Sequence, residues 1–239
     1  MNPGINDTLA GVSIIIPTYN EANYIGRLLI YLQTYATGNI QVIVADGGST
    51  DETVSIAKLH GAIVVKCDQK GRAAQMNCGA ASATRAFLYF VHADCLPPKN
   101  FFQQISCALQ KGFSLGRFQT KFDSKSLLLK VNAFCTRFDW SICSGGDQTL
   151  FITRDAFQQL NGFNSKMLLM EDYEIVKRAR KQYDYIIMKE KVLVSARKYH
   201  QNSWLKVQQA HRKIIKMYND GVSQEALAAK YDELLNYRN

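Results

Sequence analysis

Two adjacent carboxylates, Glu171 and Asp172, stand where a charged helix over 171–182 is predicted to begin. Such side chains can take a proton from a hydroxyl, or they can simply complement the positive end of the helix dipole, which is worth less than about 1 kcal/mol. Upstream, four short polar clusters hold the other groups able to do chemistry: Tyr19-Asn20-Glu21, Asp46 through Asp51, Lys70-Gly71-Arg72 and His92-Ala93-Asp94. Carboxylates accept N–H donors or ligate hard cations, and Lys70 and Arg72, placed just before a helix, suit an anion. The same residue types also serve backbone needs. Pro17 through Glu21 reads equally as a turn and helix start, Asp46-Gly-Gly-Ser49 as a capped turn, Lys70 and Arg72 as solvated charges, and His92 as a structural residue.

The elements that must position these groups follow from hydrophobic period. Val12-Ser-Ile-Ile-Ile16 is a β-branched run stopped by Pro17, and apolar residues at helical spacing follow it (Ile25, Leu28, Leu29, Leu32). The unit recurs. A strand over 41–45 leads through a turn to a helix capped by Thr50 or Asp51, a strand over 62–66 leads to an alanine-rich helix ending near 83, and a fourth strand spans 86–91. Strands alternating with helices imply right-handed crossovers and a parallel sheet covered on both faces, where ligands bind beyond the carboxyl ends of the strands. All four polar clusters lie at such ends. After Pro97-Pro98 the regularity gives way to mixed topology: helices over 100–110 and 125–139, strands over 114–122 and 148–153, a short helix over 154–160, the helix over 171–182, a strand over 185–193, and helices over 203–219 and 223–237. The expected fold class is α/β, a mixed, mainly parallel sheet flanked by helices, in one domain.

The order Val12-Ser-Ile-Ile-Ile-Pro-Thr-Tyr-Asn-Glu21, Val42-Ile-Val-Ala-Asp-Gly-Gly-Ser-Thr-Asp51 and His92-Ala-Asp94 resembles the family 2 glycosyltransferases of the GT-A fold, over residues 12–205. The resemblance implies a donor half over 12–98, an acceptor half over 99–200 and appended helices over 203–237. It puts Pro17, Tyr19 and Glu21 around the base and ribose of a nucleoside diphosphate sugar, with Asp46 accepting an N–H of uracil or guanine and Lys70 and Arg72 at the diphosphate or base edge. His92-Ala-Asp94 is similar to the Asp-x-Asp element that holds Mn²⁺ or Mg²⁺ on the diphosphate. Asp94 is the implied ligand, His92 departs from the pattern at its first position, and His200 is a further candidate ligand. Arg197 is implied as a diphosphate clamp, with a plain surface residue as the other reading. Met170-Glu-Asp-Tyr173 resembles the family's Glu-Asp motif, which makes Asp172 the base of an inverting hexosyl transfer and Glu171 a group that orients the base or the acceptor. Gly145-Gly-Asp-Gln148 is similar to a loop found in a subset of these enzymes, which puts Gly146, Asp147 and Gln148 beside the donor sugar and acceptor; a tight glycine turn is the alternative. Ser195-Ala-Arg-Lys-Tyr-His200 followed by Trp204 resembles the basic-aromatic segment of that subset. Its missing glutamine, and Tyr199 where a tryptophan is expected, disfavour processive polymer synthesis. The short format is similar to bacterial enzymes linked to arsenosugar biosynthesis.

Composition bounds the alternatives. A chain of 239 residues with 47% hydrophobic content can bury a substantial core. The apolar stretch from Val12 to Pro17 is far short of the ~18–20 residues that span a bilayer, and no basic start with an apolar run marks a signal peptide, so a soluble, cytoplasmic protein is expected. Six cysteines without C-x-x-C pairs point to reduced thiols. The net charge of +9 suits an anionic ligand, a membrane surface or nucleic acid alike, but no nucleic-acid motif or stacking platform accompanies it. The partners expected are therefore the sugar donor and a small-molecule or lipid-linked acceptor. The helix from Ser203 sets Trp204, Leu205, Val207, Ile214, Ile215 and Tyr218 against Lys206, Arg212, Lys213 and Lys216. Such a helix lies in a membrane interface as a peripheral contact or docks its stripe on its own domain. A nicotinamide-binding enzyme is excluded because Pro-Thr-Tyr-Asn-Glu21 occupies the place of G-x-G-x-x-G. A sugar nucleotidyltransferase would carry a glycine-rich, arginine-containing loop there, and a non-catalytic nucleotide-sugar-binding protein need not keep Glu171 and Asp172.

Overall fold

The computed structural model describes residues 11–69, 71–139 and 148–235, so Lys70, Gly146 and Asp147 lie outside the described residues. Strands β1 (Val12–Thr18), β2 (Ile40–Asp46), β3 (Ile63–Lys66) and β4 (Phe87–Phe90) run parallel in the order β3-β2-β1-β4. Every residue of β1 is buried, because side chains alternate between two covered faces. Val12, Ile14 and Ile16 pack with Ile25, Leu28 and Leu32 of α1 (Ala22–Tyr35), and with Phe101 and Ile105 of α4 (Phe101–Gln110). Ile15 points the other way, toward Ala73 and Met76 of α3 (Arg72–Ala81). Helix α2 (Thr53–Leu59) joins β2 to β3. It starts later than expected because Asp51 Oδ1 accepts the Thr53 N–H at 3.0 Å in a side-chain turn, which leaves the cap position to Glu52.

Beyond β4 the sheet becomes mixed. β7 (Leu150–Thr153) is antiparallel to β4 and to β6 (Leu115–Phe122), β8 (Tyr185–Val194) is parallel to β6, and β5 (Cys95–Leu96) closes the edge antiparallel to β8. Helix α5 (Leu127–Cys135) is shorter than the expected 125–139 for a specific reason. The carbonyls of Thr136 and Phe138 accept hydrogen bonds from the Arg117 guanidinium at 2.7 and 3.2 Å. The chain is thereby pulled out of helical geometry. After α6 (Arg154–Gln159) comes α7 (Glu171–Ala179), then α8 (Arg197–Gln201), α9 (Trp204–Asn219) and α10 (Gln224–Leu234). Both β5 and α8 were absent from the sequence expectation.

The apolar stripe of α9 is covered: Val207, Ala210 and Ile214 pack with Leu227 and Tyr231 of α10 and with Leu235. Docking on its own domain is therefore the reading that holds for this helix. Among the described residues no helix is long and apolar enough to cross a membrane, and Cys67, Cys78, Cys95, Cys107 and Cys135 are free thiols.

Candidate active site

The carboxyl ends of β1 and β4 and the N-termini of α3 and α7 face one cleft of about 1380 Å³. Of the expected site residues, Pro17, Tyr19, Glu21, Arg72, His92, Asp94, Gln148, Glu171, Asp172 and Arg197 line it. Asp46 and His200 do not.

The wall after β1 is stitched to the β2–α2 turn. The N–H groups of Asn20, Glu21 and Ala22, orphans at the start of α1, donate to Ser49 Oγ, Thr53 Oγ1 and Asp51 Oδ2 at 2.9, 2.8 and 3.1 Å. Asn20, in the left-handed region at φ 53°, returns a bond by accepting the Thr50 N–H at 2.8 Å. Burial pushes the Asp51 carboxyl up, but the bonds from Thr53 and Ala22 outweigh it and hold the group below its ordinary value. Asp46 is buried beneath this turn and accepts from Thr18 Oγ1, Ser49 Oγ, Gly48 N and Ser49 N at 3.2, 2.5, 2.9 and 2.9 Å. Those bonds use about four lone-pair sites, all that a carboxylate offers. The nucleobase contact expected of Asp46 would require Ser49 to let go.

Arg197, expected beside a diphosphate, instead ties two carboxylates together across the cleft. Its Nη1 and Nη2 donate to Glu21 at 2.7 and 2.8 Å, its Nε lies 2.9 Å from Asp94 Oδ2, and its guanidinium sits 4.4 Å from the centre of the Tyr24 ring. The planar fork suits this bidentate arrangement in a way an ammonium would not. A second guanidinium joins the two helix ends: Arg72 Nε at the start of α3 lies 2.8 Å from Glu171 Oε1 at the start of α7. Glu171 is 1% exposed. The contact is an ion pair whose N–H is not aligned on the oxygen, and Oε2 meets no donor among the described residues. Neither α3 nor α7 has a side-chain cap, and Met170 takes the left-handed conformation (φ 67°) to aim the first turn of α7 at the cleft.

Several lining residues escaped the sequence reading, Gln75, Arg117 and Lys198 among them. Buried Gln75 donates from Nε2 to Thr18 O and Ala45 O at 2.5 and 3.3 Å, which locks the ends of β1 and β2. Its signal was a polar side chain on the stripe Arg72, Gln75, Met76, Gly79. Buried Arg117 and Lys198 gave no such signal. Tyr185 beside Arg117 is pushed up by burial, an effect that Arg117 partly offsets. The cleft lining also includes the apolar side chains of Leu168, Leu169, Ile214, Ile215 and Tyr231, and Lys177 and Lys181.

His200, offered as a closing metal ligand, is exposed on α8 and turned from the cleft, and among the described residues no three His, Cys, Asp or Glu side chains converge on one point. Asp94, with His92 two residues away on the same turn, is thus one carboxylate in a polar recess. That donor set fits a hard cation which takes most of its oxygens from phosphates and water, as Mg²⁺ does.

The model of glycosyl transferase family 2 matches residues 13–163. Glycosyltransferase AglE of Haloferax volcanii is 34% identical over 108 residues, covering 42% of this chain and 36% of that protein. A PGL/p-HBAD biosynthesis glycosyltransferase of Mycobacterium bovis is 35% identical over 88 residues, covering 34% of each. The matched segment thus spans about a third of these relatives. Among solved structures, S. aureus TarS in complex with UDP superposes with a TM-score of 0.63 at 16% identity, covering 94% of this chain and 70% of that one. The mannosyltransferase of Pyrobaculum calidifontis in complex with GDP-Man and Mn²⁺ gives 0.66 at 20% identity, covering 92% and 68%. The fold is the one shared with these GT-A proteins.

Proposed function

The chain belongs to glycosyl transferase family 2, and from that premise we propose that it is a metal-dependent, inverting glycosyltransferase that moves a hexosyl group from a UDP or GDP donor to a hydroxyl acceptor. The observation that carries this reading is that Asp94 and Asp172, from opposite halves of the chain, line one cleft. Asp172 takes the proton of the acceptor hydroxyl as its oxygen attacks the anomeric carbon from the face opposite the departing diphosphate. Glu171, buried with an oxygen that meets no donor among the described residues, accepts a hydroxyl of sugar or acceptor and so orients the attack. Arg72 and the uncapped start of α3 face the diphosphate, where positive charge is favoured. Asp94, with His92 beside it, would hold Mn²⁺ or Mg²⁺, whose charge offsets that developing on the departing diphosphate. Pro17 and Tyr19 flank the nucleoside, and Asp46 shapes the turn beneath it. Lys70, Gly146 and Asp147 keep the roles that the resemblance implies. The UDP of TarS and the GDP-Man and Mn²⁺ of the mannosyltransferase support the donor and metal classes. The apolar lining residues Leu168, Leu169, Ile214, Ile215 and Tyr231 suit an acceptor with an apolar portion.

The test is release of UDP or GDP from a panel of nucleotide sugars with Mn²⁺ and alkyl-glycoside or polyprenyl-phosphate acceptors. Asp172→Asn should lower kcat by about 10²–10⁴-fold while donor affinity stays within about twofold. An unchanged kcat removes Asp172 from the chemistry, and retained anomeric configuration in the product removes the inverting mechanism.

A further inference from the structure

A surface helix normally turns its apolar stripe inward. Helix α5 does the opposite. Toward the protein it presents Leu129, Asn132 and Ala133, followed by Thr136, and the contacts there are mostly polar. Asn132 donates to Tyr199 Oη and accepts from Trp204 Nε1, both at 3.2 Å, and Thr136 Oγ1 accepts the Thr120 N–H at 2.9 Å. Toward solvent it presents Leu127, Leu128, Val131 and Phe134, which are 74, 49, 56 and 50% exposed. Positions 127, 131 and 134 share one face of the helix. The first turn of α9, held to α5 through Trp204, adds exposed Leu205.

The charge around this face has one sign. Between residues 121 and 137 the exposed ionic side chains are Lys121, Lys125, Lys130, Arg137 and a single acid, Asp123, which Arg27 pairs at 3.4 Å. Arg137 lies 3.7 Å from the centre of the Phe134 ring, an aromatic–cation pair suited to a boundary between apolar and anionic layers. Apolar side chains ringed by cations, on a helix of nine residues that is too short to span a bilayer, match an anionic membrane interface. A water-soluble partner with an uncharged apolar groove would not use those cations.

We propose that α5 docks the protein on anionic lipid bilayers, with Leu127, Leu128, Val131 and Phe134 inserted at the headgroup boundary and Lys125, Lys130 and Arg137 on lipid phosphates. The inference rests on this face alone and not on the reading of the cleft. Its position has a consequence for the site. The segment leaving α5 gives its carbonyls at Thr136 and Phe138 to Arg117 and continues to Asp139, and both Arg117 and Asp139 line the cleft. A docked α5 brings the cleft beside the lipid surface.

The full chain should float with vesicles of phosphatidylcholine plus phosphatidylserine. The variant Leu127→Glu/Val131→Glu, whose side chains are exposed and whose melting temperature should match the parent, should lose at least about tenfold in vesicle affinity. Lys125→Gln/Lys130→Gln should lose about tenfold on the anionic vesicles and bind them no better than pure phosphatidylcholine. Failure of the parent to float, or equal flotation of L127E/V131E, overturns the proposal. So does a dimer, seen by light scattering without vesicle binding, that L127E/V131E dissociates, since the face would then belong to a second copy of the chain.

Discussion

Replacing Arg72 by methionine removes a cation 2.8 Å from a carboxylate that is 1% exposed, and its cost can be bracketed. An exposed ion pair contributes ~0.2–1 kcal/mol, whereas stripping the partner from a fully buried charge costs ~3–5 kcal/mol. Glu171 belongs to the second class, but the Arg72 side chain is 34% exposed, so water enters from its side. Arg72→Met should therefore destabilise by about 2 kcal/mol, or about 4–8 °C in Tm for a chain of this size. Glu171→Gln removes the buried charge itself and leaves Arg72 its water, so its cost should stay below about 1 kcal/mol. Adding Glu171→Gln to Arg72→Met should recover stability, giving a coupling of more than about 1 kcal/mol in the double-mutant cycle. Urea unfolding with an unchanged m-value is the assay. Two single variants within about 0.5 kcal/mol of the parent, with an additive double, would refute the claim that this pair clasps α3 to α7.

Two further outcomes follow from burial. Tyr89 and Tyr185 are both pushed up from 10.0 by burial, against smaller opposing contributions from Thr149 and Arg117 respectively. The folded state then holds their protons more tightly than the unfolded chain, so this stability is complete below about pH 10 and is lost as pH rises further. The urea midpoint should fall as pH rises above about 10, and Tyr185→Phe should flatten part of that fall; an unaltered slope in the variant contradicts the assignment. In α3, a Cβ on Gly79 would lie 2.6 Å from Ile15 Cγ2 and 3.2 Å from Ala45 Cβ. Gly79→Val should therefore lift the helix from β1 and β2 at a cost of about 1–3 kcal/mol, and a parental melting temperature would show that the seam has slack.

The N-terminal part, residues 12–98, was legible because its signals are local. In β1 a β-branched run with a proline stop, and in α1 a 3.6-residue period, each lie within a dozen residues, and the polar clusters fall at the strand ends because the crossover rule puts them there. The part after residue 98 depends on partners distant in sequence. Arg117, which ends α5, is 19 residues from the carbonyl it takes, and Glu21 is 176 residues from Arg197. No spacing encodes such contacts. The two-residue β5 and five-residue α8 are too short to show a period. Leu127-Leu-Leu129 illustrates a subtler failure, since an apolar run predicts a helix but not which way it faces, and only Leu129 of the three is buried.

Four of the cleft's carboxylates are matched to guanidinium: Glu21 and Asp94 by Arg197, Glu171 by Arg72, and Asp139 by Arg180. A cleft of bare carboxylates would repel a diphosphate, whereas this one presents guanidinium groups whose partners can be exchanged. On the proposed reading, phosphate oxygens would compete with Asp94 for Arg197 Nε, which would leave the Asp94 carboxylate able to hold a divalent cation and keep the charge balanced. The bidentate pair with Glu21 need not break for this exchange, because it uses Nη1 and Nη2 and leaves Nε as the movable contact. The hydrogen bonds that the N–H groups of Asn20, Glu21 and Ala22 donate to Ser49, Thr53 and Asp51 would hold the start of α1, and with it Glu21, in place while the third contact changes hands.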